Sequence, residues 1–156
     1  MAAIDIGNAA IDRASGQAAL YTWVDKINPA NADGKITLVE IYAYEAMVNC
    51  EVAIFQLVAA DTFTTRSNVT LGSVPLGYSS YTVDLSVKAG DYIGIYFTAG
   101  GIDRDTVAGL AGYWYKQLDA IPCTNLGGFT LQPDRILSLF GSGATPAGKS
   151  RGVIIG

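Results

Sequence analysis

The chain has 156 residues, half of them hydrophobic and only 15% charged, with a formal net charge of −4 and no histidine. That length suits one domain with a core of its own, and the low charge excludes a disordered or heavily solvated chain. The ten Lys and Arg residues are scattered singly, so no basic cluster exists to neutralise a nucleic-acid backbone, and no apolar run is long enough to cross a bilayer as a helix.

The N-terminal "MAAIDIGNAAIDR" holds a short strand, "AIDIG", but lacks the basic start and long apolar segment of a secretory signal, so cytoplasmic synthesis is expected. "DRASGQAALYTWV" is the nearest approach to a helical period, with Asp12 or Ser15 as caps; Gly16 interrupts it and limits it to a short turn. "LYTWVDKI" is a further strand candidate. After the turn "NPANADG" comes "KITLVEIYAYE", which places Val39, Ile41 and Ala43 on one face and Glu40, Tyr42 and Tyr44 on the other. "CEVAIFQLVA" is almost wholly apolar, as a strand covered on both sides should be. "YTVDLSV" alternates, with Tyr81, Val83, Leu85 and Val87 inward. "DYIGIYF" sets Ile93, Ile95 and Phe97 against Tyr92, Gly94 and Tyr96. "GYWYKQL", "FTLQ" and "ILSLFGSG" complete the series.

This pattern predicts an all-β protein, an antiparallel jelly-roll-like β-sandwich of about eight or nine strands over residues 1–140. Residues 141–156, "GSGATPAGKSRGVIIG", read as a flexible Gly/Ala/Ser-rich arm with an apolar tip, Val153, Ile154 and Ile155. Such a tip either folds back on its own domain or inserts into a neighbour.

Without histidine, Ser-His-Asp and Cys-His nucleophiles, imidazole metal sites and the commonest general base are all excluded. No nucleophile elbow or phosphate-cradling glycine loop is present. Cys50 and Cys123 are too far apart for a CxxC motif; they are either two buried thiols or a disulfide between sheets. The glycosylation pattern "NVT" at Asn68 carries no weight without secretion. Asp103 and Asp105, in "AGGIDRDTVAGLAG", could present oxygens to a calcium ion or a sugar, but Arg104 between them and the missing calcium-loop pattern favour solvated loop charges. Glu40 and Glu45 fall on opposite strand faces. Neither an enzymatic activity nor a metal or cofactor is therefore expected.

The aromatic residues are the stronger lead. Tyr42, Tyr44, Tyr92, Tyr96 and Trp114, with Gly94 between two of the tyrosines, are predicted to form an interaction surface. Glycine inside a strand weakens it and often marks close approach by another backbone or a ligand.

The run "SVKAGDYIGIYF" resembles a strand-turn-strand found in many jelly-roll modules, including sugar-binding domains and the heads of viral receptor-binding and decoration proteins. "IDIGNAAIDR", followed by "DKINPANADGKITLVEIYA", resembles the start of small β-sandwich proteins encoded among phage structural genes. The resemblance implies a non-enzymatic virion component, a capsid decoration or tail-associated protein, that self-associates, with a trimer favoured, and contacts other virion proteins. The alternative is a carbohydrate-binding module using Tyr92, Tyr96, Trp114 and the Asp103–Asp105 segment; a histidine-free carboxylate glycosidase is a fainter third option.

Overall fold

The computed structural model describes residues 3–146, and every regular element in that range is a strand. There are twelve: β1 (Ala3–Gly7), β2 (Ser15–Ala18), β3 (Thr22–Asp25), β4 (Gly34–Ala59), β5 (Thr62–Val74), β6 (Gly77–Val87), β7 (Tyr92–Tyr96), β8 (Ala99–Thr106), β9 (Tyr113–Lys116), β10 (Thr130–Gln132), β11 (Arg135–Leu137) and β12 (Leu139–Ala144). All pairings are antiparallel. The all-β, sandwich-like class matches the sequence reading, whereas the strand number is larger than the predicted eight or nine.

The difference begins at β4. Two strands were expected between residues 35 and 59; one strand of 26 residues runs through both. Drawn straight it would reach about 85 Å, far beyond a domain of this size, whose radius of gyration is about 15 Å. It therefore has to bend, and its core-facing residues record how. They run Ile36, then Val39, Ile41, Ala43 and Met47, then Cys50, Val52 and Ile54. Parity switches after Ile36, where β4 gains a residue against β12, and again after Met47, where it gains one against β5. Each bulge adds a residue and turns the strand while returning the apolar set to the core.

The first half of β4 lies between β12 and β6 in one layer, with β1 outside β12. At the bend, β4 pairs with β8, which carries β2 and β11. The second half lies between β5 and β7, and the other layer continues β7–β3–β9–β10. Between the layers lies the main core, built from Ile4, Ile6, Ile36, Val39, Ile41, Val52, Ile54, Leu85, Ile93, Ile95, Phe97 and their neighbours.

A second apolar cluster covers the outer face of the second layer. Residues 117–129 fold back over it, bringing Ala120, Ile121 and Phe129 against Ala53, Phe55, Phe63, Tyr96 and Trp114. This cover is stitched to β5 by reciprocal backbone bonds between Phe63 and Leu126, both 2.9 Å, and by Thr65 N–H donating to Cys123 O.

Three further expectations are corrected here. "DRASGQAALYTWV" contains no helical turn: Ser15–Ala18 pairs with β8 as a strand. Asp103 and Asp105 stand in β8, not in a loop. Gly141–Ala144, assigned to the tether, are ladder residues of β12 paired with both β1 and β4. The apolar tip Val153, Ile154 and Ile155 lies outside the described residues. The thiols are both free: Cys50 belongs to the main core, where burial pushes it up to about 12, and Cys123 borders the second cluster.

Candidate functional site

The predicted aromatic surface divides in two. On β7 the alternation holds: Ile93 and Ile95 point into the main core, and Tyr92 and Tyr96 point the other way. That other side is not open. Tyr96 is only 9% exposed and Trp114 only 3%, both under the 117–129 cover, and Tyr92 packs beside them. Burial raises the Tyr92 and Tyr96 phenols above their ordinary value. The glycine between them answers to the protein's own packing: a Cβ on Gly94 would lie 2.5 Å from Phe55 Cε1 and 2.8 Å from the Trp23 carbonyl oxygen. Gly94, Tyr96 and Trp114 are thus buried within this chain, Tyr92 packs half-buried against them, and the four do not form a free platform. Trp114 also donates its indole N–H to Asp61 at 3.0 Å, and the Lys26 ammonium sits 5.0 Å above its ring.

Tyr42 and Tyr44 differ. They lie on the outer face of the first layer, where Tyr42 stands opposite Tyr78 in the β4–β6 ladder. Tyr44 is 50% exposed and Tyr78 53%, and Tyr78 donates its hydroxyl to Glu40 at 2.7 Å.

Asp103 and Asp105 are both tied to the residues 13–14 segment, Asp105 with its side chain still 31% exposed. Asp103 is buried and accepts the Arg13 backbone N–H at 2.7 Å. Asp105 accepts the Ala14 N–H at 2.8 Å and pairs with the Arg13 guanidinium. Arg13 Nε also donates to Ser138 Oγ, so these carboxylates anchor the residues 11–14 segment to β8 and its neighbour. These bonds account for both carboxylates within the chain, without a ligand.

The open site lies elsewhere, between the edges of the two layers. A cleft of about 430 Å³ is lined from one side by Gln17 of β2, Arg104 of β8 and Arg135 of β11. Its other wall is Tyr21, Trp23, Tyr113 and Tyr115, with Gln132 of β10 beside them. Register explains the wall. Trp23 stands opposite Tyr115, Asp25 opposite Tyr113, and Gln132 opposite Tyr113, so these residues share the face of the second layer that leads out of the main core. Trp114, one residue out of phase, goes to the other face.

The rings pack into one another. Tyr21 stacks on Trp23 at 5.1 Å with planes 26° apart, and Tyr113 meets Trp23 edge-on at 5.1 Å. Tyr115 closes the group at 5.6 Å from Trp23 and 6.0 Å from Tyr21. Polar contacts tie this wall to the opposite layer: the Trp23 indole N–H donates to Ala18 O at 3.0 Å, and Gln17 donates its amide to the Tyr113 hydroxyl. Arg104 Nε donates to Gln17 Oε1 at 3.2 Å, and its Nη1 donates to Thr106 Oγ1 at 2.7 Å. Burial raises the Tyr113 phenol, while the nearby charges of Arg104 and Arg135 draw it down.

No protein-family model matches the chain, and no curated protein sequence matches it. The cleft has therefore to be interpreted on its chemistry.

Neither Tyr21, Gln17, Gln132, Arg104 nor Arg135 was singled out as a binding residue in the sequence. One signal was present: "YTW" and "YWY" each place two rings on a common strand face. Which face stays open could not be read from them. Among the described residues no group of three or more Cys, Asp or Glu side chains is arranged to hold a metal ion.

Proposed function

We propose that this chain is a non-enzymatic recognition module of a phage-like particle, and that it binds carbohydrate in the cleft between its layers. The observation that carries the reading is the composition of that cleft: two partly exposed rings, Tyr21 and Tyr115, backed by the buried Trp23 and Tyr113, with two amides and two guanidinium groups around them. Sugar rings present apolar C–H faces that stack on aromatic rings, while their hydroxyls need planar donors and acceptors set in fixed directions. Gln17, Gln132 and Arg104 meet the second need, and Arg104 and Gln17 are already oriented by each other. The resemblance of residues 4–13 and 25–43 to phage structural β-sandwich proteins supports the particle as the setting.

Titration of the intact chain with a panel of oligosaccharides, followed by calorimetry and tryptophan fluorescence, tests the reading. Tyr115, half-buried on the cleft wall, is the ring to remove. Tyr115→Ala is expected to weaken the bound glycan about tenfold through the loss of one stacking surface, with far-ultraviolet dichroism unchanged. A chain that binds no oligosaccharide at millimolar concentration would refute the proposal.

A second reading has its own observation. The outer face of the first layer carries Tyr42, Tyr44 and Tyr78, with Leu76 nearby at 69% exposure. This row suits contact between copies of the chain in a particle lattice, where tyrosines supply large area at low entropic cost. Under that reading, light scattering at micromolar concentration reports an oligomer, and the double change Tyr44→Ser and Tyr78→Ser dissociates it. A wild-type monomer at that concentration removes the second reading and leaves the cleft untouched.

A further inference from the structure

Four arginines fall within the described residues: Arg13, Arg66, Arg104 and Arg135. Two have carboxylate partners, Arg13 with Asp105 and Arg66 with Asp91. The other two are the cleft arginines, and neither forms an ion pair among the described residues. In a protein with fourteen acidic residues against ten basic ones, that separation calls for a physical reason.

Strand register sharpens the point. Leu137 stands opposite Arg104, and Thr106 stands opposite Arg135, which makes the two arginines diagonal neighbours on one face of the β8–β11 pair. Diagonal positions lie roughly 7–8 Å apart and are within reach of long side chains. Two like charges in that relation repel. The carboxylates closest in sequence do not relieve them: Asp103 and Asp105 are engaged with the residues 13–14 segment, and Asp134 accepts the Gly109 N–H at 2.8 Å. Arg104 is braced by Gln17 and Thr106, and Arg135 has only long contacts, 3.3–3.4 Å, to the carbonyls of Pro133 and Asp134. Both guanidiniums keep unused donors, and both line the cleft.

We infer that the ligand of this cleft is an acidic saccharide, a sugar whose carboxylate is held between Arg104 and Arg135 while its apolar face rests on Tyr21 and Tyr115. The planar fork of a guanidinium matches a carboxylate in two parallel hydrogen bonds. A polyphosphate chain fits poorly, because beyond these two cations the protein is acidic and would repel it. The inference rests on the carbohydrate reading of the same site and adds the charge of its ligand.

The test uses the full chain with a uronic-acid tetrasaccharide and with the same tetrasaccharide after its carboxylates have been reduced to alcohols. The acidic form is expected to bind at least about tenfold more tightly, since hydrogen bonds to charged groups exceed neutral ones by that factor, and the advantage should shrink as salt is raised. Arg135→Gln, at the less braced position, should remove most of the preference, lowering affinity for the acidic sugar by far more than for the neutral one. Arg104→Lys keeps the charge but loses the fork, and should lower affinity for the acidic sugar more than for the neutral one. Equal affinity of the two tetrasaccharides overturns the acidic inference and leaves the carbohydrate reading standing. Failure of both to bind overturns both. Tighter binding of a sulfated tetrasaccharide than of the uronate would overturn the carboxylate assignment.

Discussion

Replacing Phe63 with alanine is expected to lower the free energy of unfolding by about 3–5 kcal/mol, the range for a large aromatic removed from a core. Phe63 is fully buried at the start of β5, and its ring is the hub of the second cluster. It lies 4.9 Å from Phe129, 5.0 Å from Trp114, 5.8 Å from Phe55 and 6.4 Å from Tyr92, each edge-on. Removing it leaves a void among rings held by separate strands and by the 117–129 cover, so collapse around the gap is limited. Urea unfolding measures the loss. Limited proteolysis should also find 117–129 newly susceptible, because Ala120, Ile121 and Phe129 lose their common contact. The cleft is on the opposite face of the same layer, so glycan affinity should survive at temperatures where the variant stays folded. A destabilisation below about 1 kcal/mol would mean that 117–129 does not cover that face as described.

Asp25 supplies the second large effect. It sits at the end of β3 only 1% exposed, where burial raises its carboxyl to about 6 in spite of a 2.7 Å hydrogen bond from the Asn8 amide. The folded value exceeds the ordinary 3.8, so between about pH 4 and pH 6 the native protein keeps a proton that the unfolded chain releases. Stability contributed by this residue is therefore greatest at the acidic end and falls as pH rises through that window. Above about pH 6 the full cost is present, about 3 kcal/mol for a difference of this size. Asparagine at position 25 carries no charge and retains an oxygen for Asn8. The stability of wild type relative to Asp25→Asn should thus decline by about 2.5 kcal/mol between pH 4 and pH 7.5. A difference that stays constant across that range would show that Asp25 titrates normally in the fold. Glu51, which burial and its neighbour Asp119 raise to about 7, acts in the same direction with a smaller effect because it is partly exposed and screened, and this persists in the Asp25→Asn background.

Local alternation was the legible part of this protein. Val39, Ile41 and Ala43, Val83 and Leu85, and Ile93 and Ile95 all face the main core as their spacing requires. The strands that escaped notice have weaker local signals. Ser15–Ala18 contains Gly16 and only one apolar side chain, Ala18; Thr62–Val74 is rich in Thr and Ser; Ala99–Thr106 opens on Ala-Gly-Gly and carries three charges. Each is a strand because of what it pairs with, β2 and β11 on β8, β5 on the second half of β4. The 26-residue β4 was divided in the reading because "EAMVN" breaks the alternation, which in the fold is a bulged bend within one strand.

The aromatic surface shows where local reasoning stops. A period of two settles that Tyr92 and Tyr96 point away from Ile93 and Ile95, and that Trp114 points away from Tyr113 and Tyr115, because neighbouring side chains on a strand leave opposite faces. Those directions follow from the sequence alone, as do the absence of histidine chemistry and the all-β class. Whether a given face meets water, a ligand or more of the same chain depends on segments far away in sequence. The 117–129 cover buries Tyr96 and Trp114, while Tyr21 and Tyr115 remain on the cleft that β2, β8 and β11 leave open. Only the tertiary structure could decide between those outcomes, because burial is set by which distant surfaces come together and not by the local twist of a strand.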